Sequence, residues 1–347
     1  MGGTRSHERG DPRERVAALY RRYAEVEASG RSPLFAQISK GVAEDAWMLE
    51  FLAQMPEPKW QPNLLLGAVR YRYGTPEDAS AFIELVRENA DEVAATMAAR
   101  STQTNEPARC ATLLPALARL PQPLALLEVG SSAGLCLLPD HYAFDYGHRR
   151  IEPTVSSTAT SPLFSCRADP ATPLPDRNVE VAWRAGLDLH PIDVSDDLEV
   201  RWLEALVWPG QEYRLPGLRA ACEIARGDPP RVVEGDLRTD LRALAAQAPA
   251  DATLVVFHTS VLAYVPDRDE RAAFARSVVE LDAVWIANER PAFIPGMTDG
   301  VVDESPSAQA FLLCVNAIPT AWTDPHGASI GWRTPHTAVG AGVTGVR

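Results

Sequence analysis

The stretch Leu126-Leu127-Glu128-Val129-Gly130-Ser131-Ser132-Ala133-Gly134-Leu135 has the residue types and spacing to hold a small molecule. An apolar run ends at Gly130, a tight turn follows, and Gly134 is expected to let a following helix pack closely. At such a turn the backbone approaches a ligand with no Cβ in the way, and free N–H groups point outward at the helix start. In dinucleotide-binding folds this device holds a pyrophosphate. Glu128 would repel a pyrophosphate but suits an amino group. The residues therefore favour S-adenosylmethionine, with Gly130, Ser131, Ser132 and Gly134 around it. The spacing G-x-S-x-G leaves two other readings open. One is a strand-to-helix turn without a ligand. The other is a serine-hydrolase elbow with Ser132 as nucleophile, served on chain order by Asp299 or Asp303 and His326. No HGGG-like segment stands upstream to support the elbow.

Further acids extend the cofactor reading. Asp188 ends the strand-like run Val179–Leu187, where a carboxylate can accept from both ribose hydroxyls. Asp236 follows the next strand, placed for an adenine amino group or as an N-cap. His258, at the end of a fourth strand, is the expected general base, since imidazole titrates near neutrality. Asn288 and Glu289 end a fifth strand, with Glu289 a second catalytic candidate. Asn105, Glu106 and Arg109 precede the first strand and are expected to meet the amino-acid end of the cofactor or a polar substrate. Tyr142 and Tyr146, four apart, line the pocket or fill the core. The histidines show no metal-ligand spacing, so no metal is expected.

These residues need an alternating scaffold to position them. From Leu124 onward, apolar runs at Leu124–Val129, Val179–Leu187, Arg231–Val233, Thr253–Phe257 and Ala283–Ala287 alternate with helical stretches at Asp197–Val207, Gln211–Arg226, Asp240–Ala248 and Asp267–Leu281. That pattern predicts a Rossmann-like α/β core over 121–347, a largely parallel sheet flanked by helices. Residues 149–178, rich in Pro, Ser and Thr, read as a β-rich insertion, a hairpin over the sheet's carboxyl edge. Residues 12–120 read as an N-terminal helical region. Asp11-Pro12, Ser32-Pro33 and Thr75-Pro76-Glu77-Asp78 give its start signals, the last helix running to about Arg100. Residues 1–11 read as a disordered tail.

The 347 residues carry a net charge of -13, which disfavours nucleic acid and anionic membranes as partners. No secretory signal or membrane-length apolar run is read, and the five scattered cysteines suit reduced thiols, so a cytoplasmic location is expected.

Glu128–Gly134 with Leu137–Gly147, Gln103–Glu106, Gly186–Val194, Trp202–Pro209, Val255–Tyr264 and Asp324–Gly327 together resemble a bacterial family of unassigned function. The fold of that family is similar to class I S-adenosylmethionine-dependent methyltransferases. The resemblance spans nearly the whole chain and implies a helical region leaning on a nucleotide-binding core. The sequence departs from the family's usual residues at Ser131, Cys136, His190 and Arg290. The last two face the expected substrate side and would mark specialisation or loss of cofactor use. Three functions are carried forward. The first is a methyltransferase acting on a small molecule, in secondary metabolism. The second is the same pocket reused for elimination or cyclisation, and the third a non-catalytic partner subunit of another enzyme.

Overall fold

The computed structural model describes residues 10–103, 105–155, 160–297, 301 and 304–333. The chain begins with helices because its start signals are chemical. The Asp11 carboxylate accepts from Arg13 N at 2.9 Å and caps α1 (Pro12–Arg22), which continues into a π-helical turn to Glu27. Ser32 caps α2 (Pro33–Glu44), followed by α3 (Ala46–Ala53) and α4 (Pro62–Tyr73). Asp78 caps α5 (Ala79–Glu88). The single helix expected from there to Arg100 is in fact two. Asn89 donates its side-chain amide to Leu85 O and breaks the ladder, and α6 (Ala90–Ala99) starts afresh with Asp91 and Glu92 in its first turn. α7 (Arg109–Leu117) completes the helical region. Of the expected tail 1–11, residues 1–9 lie outside the described residues, while Asp11 is already the cap of α1.

The core follows in chain order as β1 (Leu124–Val129), β2 (Ala143–Asp145), β3 (Arg150–Ile151), β4 (Leu163–Ser165), β5 (Arg167–Ala168), β6 (Val181–Asp188), α8 (Asp197–Ala205), α9 (Leu215–Gly227), β7 (Arg231–Glu234), α10 (Leu241–Ala245), β8 (Thr253–Thr259), α11 (Arg268–Val279), β9 (Val284–Glu289), β10 (Phe311–Val315), β11 (Ile318–Thr323) and β12 (Ser329–Trp332). Nine strands form one mostly parallel sheet in the order β5-β12-β11-β10-β9-β8-β1-β6-β7. The parallel part, β7-β6-β1-β8-β9, reverses direction of winding beside β1, which creates the crevice where open α/β sheets bind ligands. β10 to β12 extend the sheet as an antiparallel meander.

Both faces of the sheet are covered. Leu124 and Leu126 pack into a core shared with Tyr20, Ile38 and Leu64 of the helical region, so helices and sheet are welded on that side. Leu127 and Val129 pack on the opposite face with Leu241, Phe274 and Val278 of α10 and α11.

Two expectations about the turn region are corrected. No α-helix follows Gly134; the chain makes two short 3-10 turns, Leu135–Leu137 and Pro139–His141. Pro139 has no N–H to close a helical turn onto Leu135 O, which instead accepts from the Tyr142 hydroxyl at 2.8 Å. The insertion 149–178 is β-rich as expected: its β3 and β4 pair with β2, just ahead of it, in a small sheet, and its β5 pairs with β12 at the far edge of the large one. None of its described residues lines the ligand cavity described below, so it does not roof the carboxyl edge.

Candidate functional site

A cavity of about 880 Å³ opens at the carboxyl ends of the parallel strands, with Gly130, Ser132, Asp188, Asp236 and Glu289 in its wall and Tyr23, Arg31 and Asn63 of the helical region across from them. That volume lies in the upper range for small-molecule sites.

At one end the β1 turn is tied to β6 through Asp188. Oδ2 accepts from Ser132 N at 2.8 Å, and Oδ1 accepts from His190 N at 2.8 Å and from Gln103 Nε2 at 3.2 Å. A carboxylate offers about four acceptor sites. Three protein donors therefore leave little for the two-hydroxyl clasp the sequence suggested, unless Gln103 swings away. Gly130 (φ +69°) and Ser132 (φ +52°) both need the left-handed region to make this turn. The Gly130 Cα abuts the Val261 side chain, so glycine is required there by packing as well as by φ. The Ser132 hydroxyl is buried in the wall without a partner. Among the described residues no histidine, His326 included, hydrogen-bonds it, so the hydrolase reading lacks its base there; Asp299 and Asp303, its proposed acids, lie outside the described residues. Asp236 is in the wall but held by Arg238, whose guanidinium keeps the carboxyl below its ordinary range. It does not cap α10, which starts after Asp240.

Several predicted residues do not reach the cavity. Glu128 shares the face of Leu124 and Leu126 and is 1% exposed, with Oε2 unpartnered. Burial, with Cys136 beside it, holds its carboxyl well above the ordinary range, only partly opposed by Arg109. Ser131 is fully buried against Gly186. Gly134 (φ +71°) is pressed to Pro230, where a Cβ would come within 2.8 Å of Cγ. Asn105 clamps the turn from outside, its Nδ2 donating to Ser131 O at 2.8 Å and its Oδ1 accepting from Leu135 N at 2.9 Å. Glu106 forms a buried ion pair with Arg214. Tyr142 and Tyr146 are core residues, donating to Leu135 O and Ala111 O. Asn288 is buried and accepts from the Thr323 hydroxyl at 2.7 Å. His190 sits exposed at the rim.

A raised carboxyl has a measurable consequence. Folded Glu128 keeps its proton above the pH at which the unfolded chain releases it, so stability falls as pH rises from about 4.5 toward the folded value. Glu128→Gln, which cannot ionise, should melt higher than the parent protein, with the gap wider at pH 8 than at pH 5. Melting curves that keep a constant gap would contradict the protonated carboxyl.

His258 is the clearest correction. It is fully buried and absent from the cavity wall, so it cannot take a proton from a substrate. The Trp285 indole N–H, a donor only, donates to Nε2 at 3.0 Å. The ring proton must then sit on Nδ1, which donates to Glu289 Oε1 at 2.7 Å. The same oxygen accepts from Val261 N at 2.7 Å and Leu262 N at 3.2 Å. His258 thus orients Glu289, the carboxylate that stands in the wall.

The cavity wall also holds Arg31, Trp208, Arg214 and Thr259, which the sequence did not mark as a site, beside Arg109, expected as a ligand contact, and His326, expected in the hydrolase reading. Arg214 fell within a stretch read as helix, Gln211–Arg226; it lies instead in a 3-10 turn before α9, paired with Glu106. The pairing Trp208-Pro209, which ends a helix, was the available signal.

Fold and site together define a doubly wound α/β protein with a ligand cavity at the point where strand order reverses. The chain belongs to a bacterial family described as "Uncharacterized protein conserved in bacteria (DUF2332)", whose model matches residues 17–332. No curated protein and no solved structure matches it. Among the described residues no helix is long and apolar enough to cross a membrane.

Proposed function

We propose that this chain is an S-adenosylmethionine-dependent methyltransferase acting on a small molecule, built on a class I methyltransferase-like core. The observation that carries the reading is Asp188, at the carboxyl end of the strand next to β1, joined to Ser132 N and standing in the cavity wall. The Ser132 hydroxyl and the remaining acceptor capacity of Asp188 are unmet hydrogen-bonding groups there, and both suit the hydroxyl edge of a ribose. Glu128, the expected partner for the amino group, lies elsewhere, so the fit rests on the nucleoside half of the cofactor. When bound, S-adenosylmethionine supplies a methyl group open to in-line displacement. The protein's part is then to position the acceptor and exclude water, with Glu289 in place to take the acceptor's proton. The cavity volume leaves room for both molecules.

Isothermal titration with S-adenosylmethionine and S-adenosylhomocysteine tests this directly. Saturable binding of both at micromolar concentration is expected; no heat at millimolar concentration would refute it. The Glu289 site also favours a second reading, acid–base elimination or cyclisation without methyl transfer, because a carboxylate held by three N–H donors works without any cofactor. Product mass separates the two, since one adds a methyl group and the other removes a fragment.

A further inference from the structure

The cavity end furthest from Asp236 holds an electrostatic imbalance. Arg109, 4% exposed, has its guanidinium fixed by uncharged acceptors: Nε donates to Pro325 O at 2.8 Å, and Nη1 to Thr259 O at 3.1 Å and Thr259 Oγ1 at 3.2 Å. Nη2 has no hydrogen-bond partner among the described residues, and no described carboxylate lies within 4.0 Å of the group. Three neighbouring cations of this wall are balanced. Arg214 pairs with Glu106, Arg31 with Asp324 at 3.3 Å, and Arg290 with Glu27 at 3.5 Å. Glu289 shares the wall without forming an ion pair to Arg109, and Glu128 behind it, whose carboxyl burial pushes well up, forms none within 4.0 Å either. One buried positive charge is left over, in a chain whose net charge is -13.

Leaving a buried cation unpaired costs several kcal/mol, so such a group implies a counter-charge delivered from outside. An imidazole stands beside it. His326 lines the cavity in the turn that also supplies Pro325 O; its Nδ1 is buried without a hydrogen bond, 4.0 Å from Glu106 Oε2. Burial first, then the charges of Arg214, Arg109 and Arg31, hold this ring well below its ordinary value.

We propose that this corner is a carboxylate-binding subsite, in which Arg109 Nη2 donates to a monoanionic acid group carried by the cavity's ligand, with the His326 ring as the polar wall beside it. One uncompensated charge matches one carboxylate. A phosphate dianion would face Glu27, Glu289 and Asp324 with a single free cation against it. The inference builds on the ligand-cavity reading, but not on the identity of the nucleoside. The acid group belongs either to the amino-acid end of the cofactor or to the acceptor substrate; both present the same chemistry, and binding experiments tell them apart.

Four probes suffice: S-adenosylhomocysteine, 5′-methylthioadenosine (a like nucleoside without the acid), benzoate, and benzamide as its neutral counterpart. If the cofactor supplies the carboxylate, S-adenosylhomocysteine should bind the full-length protein roughly 10- to 100-fold tighter than 5′-methylthioadenosine. If the substrate supplies it, the two nucleosides bind alike, while benzoate raises the melting temperature and benzamide does not. Either preference should vanish in Arg109→Gln and persist in part in Arg109→Lys. Because Arg109 also anchors Pro325, His326→Leu is the second variant, expected to weaken the same preference by setting an apolar side chain beside the acid group without removing the anchor. Acid and neutral probes that act alike on the parent protein, or a preference untouched in the folded Arg109→Gln chain, would overturn the subsite. Carboxylate preference without nucleoside binding would refute the cofactor proposal and leave the subsite standing. Nucleoside binding with no acid preference would do the reverse.

Discussion

Asp140→Ala should destabilise the protein by about 3–5 kcal/mol, enough to lower the melting temperature by roughly 5–10 °C. Asp140 is buried and takes a two-pronged contact from Arg184 of β6, Nη1 to Oδ1 at 2.9 Å and Nη2 to Oδ2 at 2.8 Å. Arg184 lies opposite Leu126, on the strand beside the sheet's β7 edge, and its Nη1 also holds Leu137 O at 2.9 Å. Truncating the carboxylate strands a cation with its side chain only 16% exposed, which cannot turn to water without leaving the core. The pair has a second task. The segment after Gly134 has no helical ladder, and Asp140 with Arg184 is what fixes it against β6. The variant should therefore also loosen the Gly130–Gly134 turn, visible as faster amide exchange there. The double variant Asp140→Leu, Arg184→Met removes both charges and should recover most of the loss, because two apolar groups of similar volume need no partner. A single variant that melts within 1 °C of the parent would show that the pair contributes little.

The same segment shows where sequence reasoning stops. Leu124–Val129 was legible to the residue because a strand buried on both faces must be apolar throughout. The helix starts at Pro12 and Pro33 were legible because capping is local chemistry between a side chain and the next few N–H groups. The break at Asn89 was local too, and Asp91 and Glu92 announced a new first turn that the apolar spacing masked. The missing helix after Gly134 was not local. Leu135 O is taken by Tyr142 and Leu137 O by Arg184, forty-seven positions away, and no window of sequence reports that competition. Glu128 and His258 failed for a different reason. Each was correctly placed near a strand's carboxyl end, but alternation only says that neighbours face opposite sides. When both sides are covered, polarity cannot tell which side holds the cavity. Arg109 and His326, 217 positions apart, meet only because the turn Asp324–Gly327 docks on the start of α7, with the Gly327 Cα against the Ala108 carbonyl.

Asp188→Ala should lower the affinity for S-adenosylhomocysteine by roughly 10- to 100-fold, with a modest fall in stability. Two effects combine. The ligand loses a charged acceptor at the ribose position, and the Ser132 and His190 N–H groups lose the oxygens that fix the turn. Asparagine is no conservative replacement here. Oδ1 and Oδ2 both accept from N–H donors, so either orientation of the amide sets its NH₂ against another donor. Asp188→Asn should accordingly bind nearly as poorly as the alanine variant. Gln103→Ala separates ligand binding from turn support. It frees one acceptor site on Oδ1 while leaving both backbone bonds in place, so affinity should hold or improve. A purely structural Asp188 predicts the opposite ranking: Gln103→Ala would then cost affinity along with the others, because it too removes a tie to the turn. Titrations of the three variants, each first checked for a cooperative melt, decide between these outcomes. Unchanged affinity in a folded Asp188→Ala protein would remove the residue, and with it the nucleoside pose, from the site.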